Sequence, residues 1–220
     1  MTDTDLHQYY SRRAAEYEEI YKKPERQKDL TELRTLVSQL LHGHEVLEIA
    51  CGTGYWTELI APGARSVLAT DTSTEVLELA KTKGYSRGCV RFTLADAYDL
   101  SDLPGQFTAA LAAFWWSHVP KQRVPEFVQS LHHRLGVGGT VVLIDNRYVE
   151  GSNVPISEHD ERGNTYQLRC LRDGSQFRVL KNFPNASELY ATLNPCADDL
   201  KVFELEYYWY ALYKVAKISL

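Results

Sequence analysis

The stretch 46–54, taken together with Asp71, constrains this chain more than any other part of its sequence. An apolar run passes through Glu48 and breaks into a turn of small residues at 50–54, and a second apolar run at 66–70 ends at Asp71. Small residues let a backbone turn approach a ligand closely. A carboxylate at the tip of the next strand suits the two hydroxyls of a ribose. The pattern predicts a nucleoside cofactor lying across the strand ends of an open α/β sheet.

A dinucleotide is one candidate for that nucleoside. Its fingerprint is G-x-G-x-x-G/A, with the pyrophosphate at the N-terminus of the helix that follows. The only register available here begins at Gly52 and Gly54 and places Thr57 at the third glycine position, after the bulky Trp56. This is a poor fit, because helix and strand should pack closely at that point.

The alternative pattern has an acidic residue before a turn of alternating small residues, Glu48-x-Ala50-x-Gly52-x-Gly54. It resembles the first motif of the class I S-adenosylmethionine-dependent methyltransferases, with Ala50 in place of the first glycine. Over roughly residues 40–215 the order of elements is similar to that family. The resemblance implies S-adenosyl-L-methionine as cofactor and S-adenosyl-L-homocysteine as product. An ordinary strand–turn–helix connection is the alternative explanation of the turn.

Apolar strand patterns and helical patterns alternate through the first 150 residues. The predicted strands lie at about 45–50, 66–71, 90–95, 107–114 and 139–145, and the predicted helices at about 8–22, 24–41, 54–61, 72–83 and 121–135. The fourth of these helices begins with a predicted capping box in which Thr72 is the N-cap and Glu75 its partner. This alternation predicts an α/β fold with a doubly wound, mostly parallel sheet. The near-continuous apolar character of the strands fits a sheet that is buried on both faces.

The pattern changes after residue 150. Residues 165–182 predict an added β-hairpin around Asp173-Gly174. A helix at about 186–193 and two final strands within 201–216 would complete a seven-stranded Rossmann-like sheet. We therefore expect one domain over 1–220, with N-terminal helices forming a lid at 1–41, a cofactor-binding core at 42–150 and a substrate side at 151–220.

The resemblance implies a set of cofactor contacts. Asp71 would bind the ribose, Asp96 and the backbone of Ala97 the adenine, and Phe114 would lie beside the adenine and the methionine. Asp71 and Asp96 could instead cap helices, Phe114 could be core, and Cys51 is expected to pack rather than react. The full predicted cofactor set is Tyr17, Glu48, Ala50, Cys51, Gly52, Gly54, Asp71, Thr72, Asp96, Ala97 and Phe114.

The segment after the fourth strand should face the substrate, because pockets in such sheets open at the carboxyl ends of the strands. His118 is the predicted catalytic base, since its unperturbed pKa lies near neutrality. The alternative is a histidine that bonds a nearby backbone carbonyl. The predicted substrate-binding residues are Tyr9, Tyr21, Trp115, Trp116, Asn146 and Arg147, where the N-terminal tyrosines belong either to a lid or to a docked helix.

The hairpin carries four cationic residues with two possible roles. They could attract an acidic substrate, or they could be solvated charges that protect an edge strand from aggregation, and the second interpretation is the expected one. The residues are Arg169, Arg172, Arg178 and Lys181.

Composition excludes several classes of partner. The net charge of −5 disfavours nucleic acid. No apolar run reaches the length of a membrane span, and the N-terminus lacks the regions of a signal peptide, so a cytoplasmic location is expected. The cysteines match no zinc pattern and His132-His133 face different directions, so no metal is predicted. The cysteines are Cys51, Cys89, Cys170 and Cys196.

The expected function is methyl transfer to an O, N, S or C atom of a small molecule by in-line displacement, in a monomer or homodimer. Such transfer needs alignment of the acceptor more than it needs a fixed base. The alternatives are a protein or peptide methyltransferase, a non-catalytic S-adenosylmethionine-binding protein and, least favoured by the turn, a nicotinamide-dependent oxidoreductase.

Overall fold

The computed structural model describes residues 14–85, 88–171 and 173–217. Within these ranges the α-helices are α1 Gln27–Leu40, α2 Tyr55–Ile60, α3 Thr74–Lys81, α4 Val124–Leu135 and α5 Ala186–Leu193. The strands are β1 Glu45–Ile49, β2 Ser66–Asp71, β3 Val90–Leu94, β4 Ala109–Ala113, β5 Thr140–Asn146, β6 Glu158–His159, β7 Thr165–Cys170, β8 Gln176–Leu180, β9 Ala197–Glu204 and β10 Tyr208–Val215. Short 3-10 helices lie at Ala14–Lys22, Pro24–Arg26, Trp116–His118, Lys121–Arg123 and Asn194–Cys196.

Seven strands form one sheet in the order β3-β2-β1-β4-β5-β10-β9. β1 to β5 pair in parallel, whereas β10 is antiparallel to both β5 and β9. The carboxyl ends of the five parallel strands therefore meet at one edge of the sheet, where ligands of open α/β sheets bind. The predicted doubly wound, seven-stranded architecture is confirmed.

The sheet is buried on both faces. Every residue of β4 is buried, and its alanine-rich sequence lets helices approach closely from either side. Alternation along β1 sends Val46 to one face and Leu47 to the other. Helices α1, α2 and α3 cover the first face, and α4 and α5 cover the second.

The added hairpin is larger than predicted. β7 and β8 pair antiparallel as expected, and the two-residue β6 joins them in a separate three-stranded sheet of order β6-β7-β8. So short a strand carries too little periodicity to be recognised from sequence.

Two local predictions need correction. The N-cap of α3 is Ser73 rather than Thr72, and the Ser73 hydroxyl accepts the Val76 amide. In the predicted N-terminal helix, residues 8–13 lie outside the described part of the chain, and Ala14–Lys22 is a 3-10 helix. Within the described ranges, no helix combines the length and the apolar character needed to cross a bilayer.

Candidate functional site

In the turn after β1, every second residue has a positive φ angle, in the left-handed region. Ala50, Gly52 and Gly54 have φ angles of 51°, 56° and 77°. Glycine adopts such angles without strain, and alanine does so at a cost. A Cβ at Gly54 would lie 2.5 Å from the Tyr85 hydroxyl and 3.0 Å from the Ala80 Cβ, so this position has no room for a side chain. The turn therefore brings bare backbone to the edge of the sheet.

The Asp71 carboxylate sits against this turn. Its Oδ2 accepts the Gly52 amide at 2.9 Å and its Oδ1 accepts the Ser73 amide at 3.0 Å. Two backbone donors favour the ionised form and fix its orientation. Thr72 lies exposed beside it. The structure thus joins Asp71 to the turn, as the sequence predicts.

Glu48 and Cys51 lie beneath the turn. The Thr57 hydroxyl donates to Glu48 Oε2 at 2.6 Å, and burial raises the pKa of Glu48 to about 8. Burial also raises the pKa of the Cys51 thiol, and that thiol donates to the Gly52 carbonyl. A protonated, buried thiol packs rather than reacts.

Two further predicted cofactor residues follow β3. Asp96 is exposed, and its Oδ1 accepts the Tyr98 amide at 3.0 Å, whereas Ala97 is buried. The Trp115 ring packs at 6.0 Å from Tyr98 and 6.3 Å from Phe127. Trp115, predicted to bind substrate, thus lies beside the strand end that is predicted to meet the adenine.

Trp116, also predicted to bind substrate, is a core residue in the structure. Its ring is buried between Phe127 at 6.3 Å and Trp209 at 6.0 Å. The chain leaves the extended conformation at Phe114, with φ of 62°, and enters a 3-10 turn. Strand alternation therefore no longer separates Trp115 and Trp116, and both rings contact Phe127.

Phe114 belongs to an aromatic cluster with the N-terminal segment. Its ring lies 5.7 Å from Tyr21, 6.1 Å from Trp56 and 5.5 Å from Tyr208. Tyr21 stacks on Tyr55 with 3.7 Å between ring centroids, and its hydroxyl accepts the Trp56 indole N–H at 3.2 Å. Tyr21 is thus buried over the cofactor turn.

The 3-10 helix Ala14–Lys22 also contacts the turn through the carboxylate of Glu18. Glu18 Oε1 accepts the Thr53 hydroxyl at 2.8 Å and the Lys83 ammonium at 2.7 Å. The segment therefore contacts the turn, a placement that both a lid and a docked helix would give. Tyr9 and the side chain of Tyr17 lie outside the described residues.

His118 is buried where the main sheet meets the added sheet. Its Nδ1 donates to the Leu180 carbonyl at 2.8 Å. Burial lowers the pKa of His118 well below its usual range, and the positive charges of Lys181 and Arg169 lower it further. The imidazole is therefore neutral and held by a backbone carbonyl, which was the alternative to a catalytic base.

A buried polar cluster that the sequence analysis did not identify lies beside His118. Asp145, at the end of β5, accepts the Ser117 amide at 2.8 Å and the Ser117 hydroxyl at 2.9 Å. The Lys181 ammonium donates to Ser117 Oγ at 2.5 Å and lies 3.3 Å from Asp145 Oδ1. Asp145 ends an apolar strand as Asp71 does, and this was the available sequence signal.

The expectation that the hairpin cations are solvated is wrong for Lys181. Its side chain is 6% exposed, because it follows β8 directly and faces the main sheet. Arg169 is half-buried and donates to Gln167 Oε1 at 2.8 Å. Arg178 matches the expectation: it is partly exposed and pairs with Glu158 at 2.7 Å. Arg172 lies outside the described residues.

Asn146 and Arg147 diverge after β5. Asn146 Oδ1 accepts the Arg26 guanidinium at 3.0 Å, and the Asn146 amide groups donate to Asp145. Arg147 instead donates to the Leu205 carbonyl and lies 3.5 Å from Glu204, at the β9–β10 connection. The structure thus places Asn146 in the polar cluster, and it does not support the predicted substrate contact of Arg147.

Comparison with known proteins agrees with this geometry. Residues 46–139 match the model of a family described as a methyltransferase domain. Two solved structures, described as a DhpI-SAH complex and a DhpI-SAM-HEP complex, each superpose with a TM-score of 0.77 at 29% identity. They cover 97% and 96% of this chain, which in turn covers 96% of each of theirs. This chain contains a methyltransferase domain with the class I fold.

A more distant similarity reaches a protein with a stated acceptor. The ubiquinone biosynthesis O-methyltransferase of Xylella fastidiosa (strain 9a5c) is 28% identical over 156 residues. The match covers 70% of this methyltransferase and 60% of that relative, which is less than two thirds of the relative's length.

The predicted site residues lie in two groups in the structure. The first group contains the turn, Asp71 and Phe114, which lie near the N-terminal segment. It also contains Asp96 and Ala97 after β3, together with Trp115, whose ring packs beside them on Tyr98. Asn146 and His118 border a second group, built around Ser117, Asp145 and Lys181.

Proposed function

We propose that this protein transfers the methyl group of S-adenosylmethionine to an anionic oxygen of a small molecule. The observation that carries the acceptor class is the burial of Lys181 at the carboxyl ends of β4 and β5. Lys181 follows β8 of the added sheet, and its ammonium lies at the carboxyl-end edge of the main sheet, where ligands of open α/β sheets bind. The oxygen acceptor also agrees with the O-methyltransferase among the relatives.

The residues at the cofactor edge suit this cofactor. The backbone of the 50–54 turn would face the methionine part, Asp71 the ribose, and Asp96 with Ala97 the adenine. Asp71 Oδ2 and Oδ1 accept the Gly52 and Ser73 backbone N–H groups, which hold the carboxylate at the tip of β2 beside the turn, where a ribose would lie. When bound, S-adenosylmethionine supplies a methyl group already activated on a sulfonium. The protein's own task is to align the acceptor and exclude water.

Positive charge gathers on the acceptor side from three separate parts of the chain. Burial lowers the pKa of Lys181 to about 8, and the charges of Arg169 and Arg26 lower it further, whereas Asp145 raises it. Arg26 is itself buried and donates to two neutral oxygens, Asn146 Oδ1 and Ser152 Oγ. A buried region with surplus positive charge favours an anionic ligand.

An anionic acceptor also explains why this site needs no proton acceptor. The oxygen of a carboxylate or phosphoryl acid is already deprotonated at neutral pH, so it attacks the methyl group without a base. The neutral, carbonyl-bound state of His118 agrees with this. His118 then shapes the acceptor wall. The small size of the acceptor is supported by the N-terminal segment that covers the turn. A monomeric or homodimeric state and a cytoplasmic location remain predictions.

The test begins with cofactor binding and proceeds to a panel of acceptors. Calorimetry should show binding of S-adenosylmethionine and S-adenosylhomocysteine but not of NAD. Transfer of a labelled methyl group is then measured for small carboxylic and phosphoryl acids, each beside its neutral amide or ester. We expect label only in the acids. Labelled amines or neutral alcohols with inert acids would overturn the acceptor class, and cofactor binding with no transfer to any acceptor would favour a non-catalytic binding protein.

Two variants sharpen this test on the added sheet. Lys181→Met should raise the acceptor KM at least tenfold at unchanged cofactor affinity, because a charge-assisted hydrogen bond contributes about 1.5–3 kcal/mol. Arg178→Met is the matched control, since Arg178 lies on the same sheet but pairs with Glu158 at the surface. Equal effects of the two variants would remove Lys181 from the acceptor site.

A further inference from the structure

Asp145 is a buried carboxylate at the junction of the two sheets. It is fully buried at the end of β5 and accepts the Ser117 amide and hydroxyl, the Asn146 amide groups and the Lys181 ammonium. These donors come from three different parts of the chain. One carboxylate therefore links the end of β5, the turn after β4 and the residue that follows β8.

Burial of this ion pair is not explained by stability. Replacing a buried ion pair with apolar side chains of similar volume is often neutral or stabilising. The preceding residues of β5, 141–144, are apolar and fully buried, so the strand accepts apolar residues. A carboxylate at 145 therefore calls for a role other than packing.

The Lys181 ammonium is held in one place by two acceptors. It donates to Ser117 Oγ at 2.5 Å and to Asp145 Oδ1 at 3.3 Å, and the Ser117 hydroxyl in turn donates to the same Asp145 oxygen. An ammonium carries three donors. Among the described residues these are its two hydrogen-bond acceptors, so a third N–H is available for an acceptor oxygen.

We propose that Asp145 is a positioning residue that keeps the Lys181 ammonium charged and oriented toward the methyl acceptor, an inference that rests on the function proposed above. The Asp145 carboxylate does this through its contact with Lys181 and through the Ser117 hydroxyl that both residues share. It does not itself touch the cofactor or the acceptor.

The charges around Lys181 explain why such a residue is needed. The groups that face the ammonium are Asp145 from β5, His118 after β4, Arg169 from β7 and Arg26 before α1. Burial and the two arginines favour the neutral amine, His118 is uncharged, and Asp145 favours the ammonium. Without the carboxylate, Lys181 loses its proton at a lower pH and no longer attracts an anion.

The experiment follows the titration of Lys181 directly, so it does not depend on the identity of the acceptor. The full-length protein is labelled with ¹³C and ¹⁵N in its lysines, and the Lys181 signal is assigned by its absence in Lys181→Arg. We expect Asp145→Asn to move the Lys181 titration down by at least one pH unit, a tenfold loss of proton affinity. The control is Asp160→Asn, which removes a carboxylate that binds Asn164 and Tyr166 on the added sheet. An unchanged titration in Asp145→Asn would overturn the proposal.

A kinetic readout then separates positioning from a structural role. With an acid acceptor from the panel, Asp145→Asn should lose about fivefold or more in kcat/KM at pH 8, because a pKa of Lys181 that moves from about 8 to about 7 lowers its charged fraction from about one half to about one tenth. Much of that loss should be recovered at pH 6.5, where Lys181 regains its proton. A loss that is equal at both pH values would indicate a structural role only.

A double variant covers the case in which Asp145→Asn does not fold. Asp145→Asn with Lys181→Met removes both charges, and its kcat/KM for the acceptor should be no lower than that of Lys181→Met alone if Asp145 acts through Lys181. A further tenfold loss in the double variant would overturn the proposal. A wild-type protein that methylates no acid while its Lys181 titration still depends on Asp145 would instead refute the proposed function.

Discussion

The proposed cofactor side and the proposed acceptor side of this methyltransferase are built in opposite ways. The cofactor side consists of backbone and neighbouring residues: one turn, the tip of β2 and a loop after β3. The acceptor side consists of side chains that are far apart in the chain, from Arg26 to Lys181, joined by one hydrogen-bond network. A local motif can serve one constant cofactor, whereas an acceptor site assembled from distant elements can change without disturbing that motif.

The largest effect should come from the acceptor side. Lys181→Met leaves the Asp145 carboxylate buried without its cation, which typically costs about 3–5 kcal/mol. We expect the free energy of unfolding to fall by about that amount in urea denaturation, while the cofactor affinity of the folded protein is unchanged. Arg178→Met should change it by less than about 1 kcal/mol, because its ion pair is at the surface. A loss of cofactor affinity in Lys181→Met would show that the two sides are not separable.

A substitution that disturbs the backbone of the turn should weaken cofactor binding. Gly54→Ala combines a φ of 77° with a Cβ placed 2.5 Å from the Tyr85 hydroxyl. We expect S-adenosylmethionine affinity to fall and unfolding stability to drop by about 2–4 kcal/mol. Gly43→Ala is the matched control, since Gly43 has a φ of 76° and nothing within 4 Å of the added Cβ. Equal effects in calorimetry and denaturation would mean that backbone strain, not close approach, matters at Gly54.

A substitution at Asp71 tests the side chain that the sequence predicts to bind the ribose and that the structure places against the turn. Asp71→Ala should weaken S-adenosylmethionine binding by about 1–3 kcal/mol, through the loss of charge-assisted hydrogen bonds. Asp102→Ala, at an exposed position, serves as control. Calorimetry that finds the same affinity in both variants would remove Asp71 from the site.

The pH dependence of stability tests the state of His118. Its folded pKa lies below its unfolded value, so the unfolded chain binds a proton that the folded protein does not. The stability contributed by neutral His118 is present above about pH 6.5 and falls by about 1.4 kcal/mol per pH unit below it. His118→Asn should reduce the stability difference between pH 7.5 and pH 5.5 by about 1–2 kcal/mol. An identical difference in wild type and variant would mean that His118 is not buried in its neutral form.

The smallest effect should come from the N-terminal cover. Glu18→Gln weakens the contacts with Thr53 and Lys83, each worth about 1 kcal/mol or less at a partly exposed position. We expect S-adenosylhomocysteine to dissociate about 3- to 5-fold faster in stopped-flow measurements. Glu19→Gln is the control, because Glu19 pairs with Lys22 at the surface. Equal dissociation rates in all three proteins would leave the segment a packing element.

Much of the cofactor side was predictable because its signals are local. The strand Ser66–Asp71 and the helix Ala186–Leu193 lie where hydrophobic periodicity placed them. Asp71 was predictable from its position at the end of an apolar strand, and the turn from its small residues. The N-cap of α3 is one residue later than predicted, since Thr72 and Ser73 are both residue types that cap helices and the path of the chain after β2 decides between them.

Most residues of the proposed acceptor side could not be predicted from the sequence. Arg147 was predicted to bind substrate and Lys181 to be a solvated surface charge, yet Arg147 bonds the β9–β10 connection and Lys181 is buried. Trp116 was predicted to bind substrate, and in the structure its ring is buried against Trp209. In each case the outcome depends on contacts between residues more than 30 positions apart.

The sequence alone determined the order of helices and strands, the parallel sheet and the turn that faces the cofactor, because periodicity, glycine and strand-end carboxylates act over a few residues. Only the tertiary structure decided which polar side chains meet at the acceptor side. The added sheet has to dock on the ends of β4 and β5 before Ser117, Asp145 and Lys181 come into contact. Burial then sets the charge of each group, and burial is a property of the assembled fold rather than of any segment.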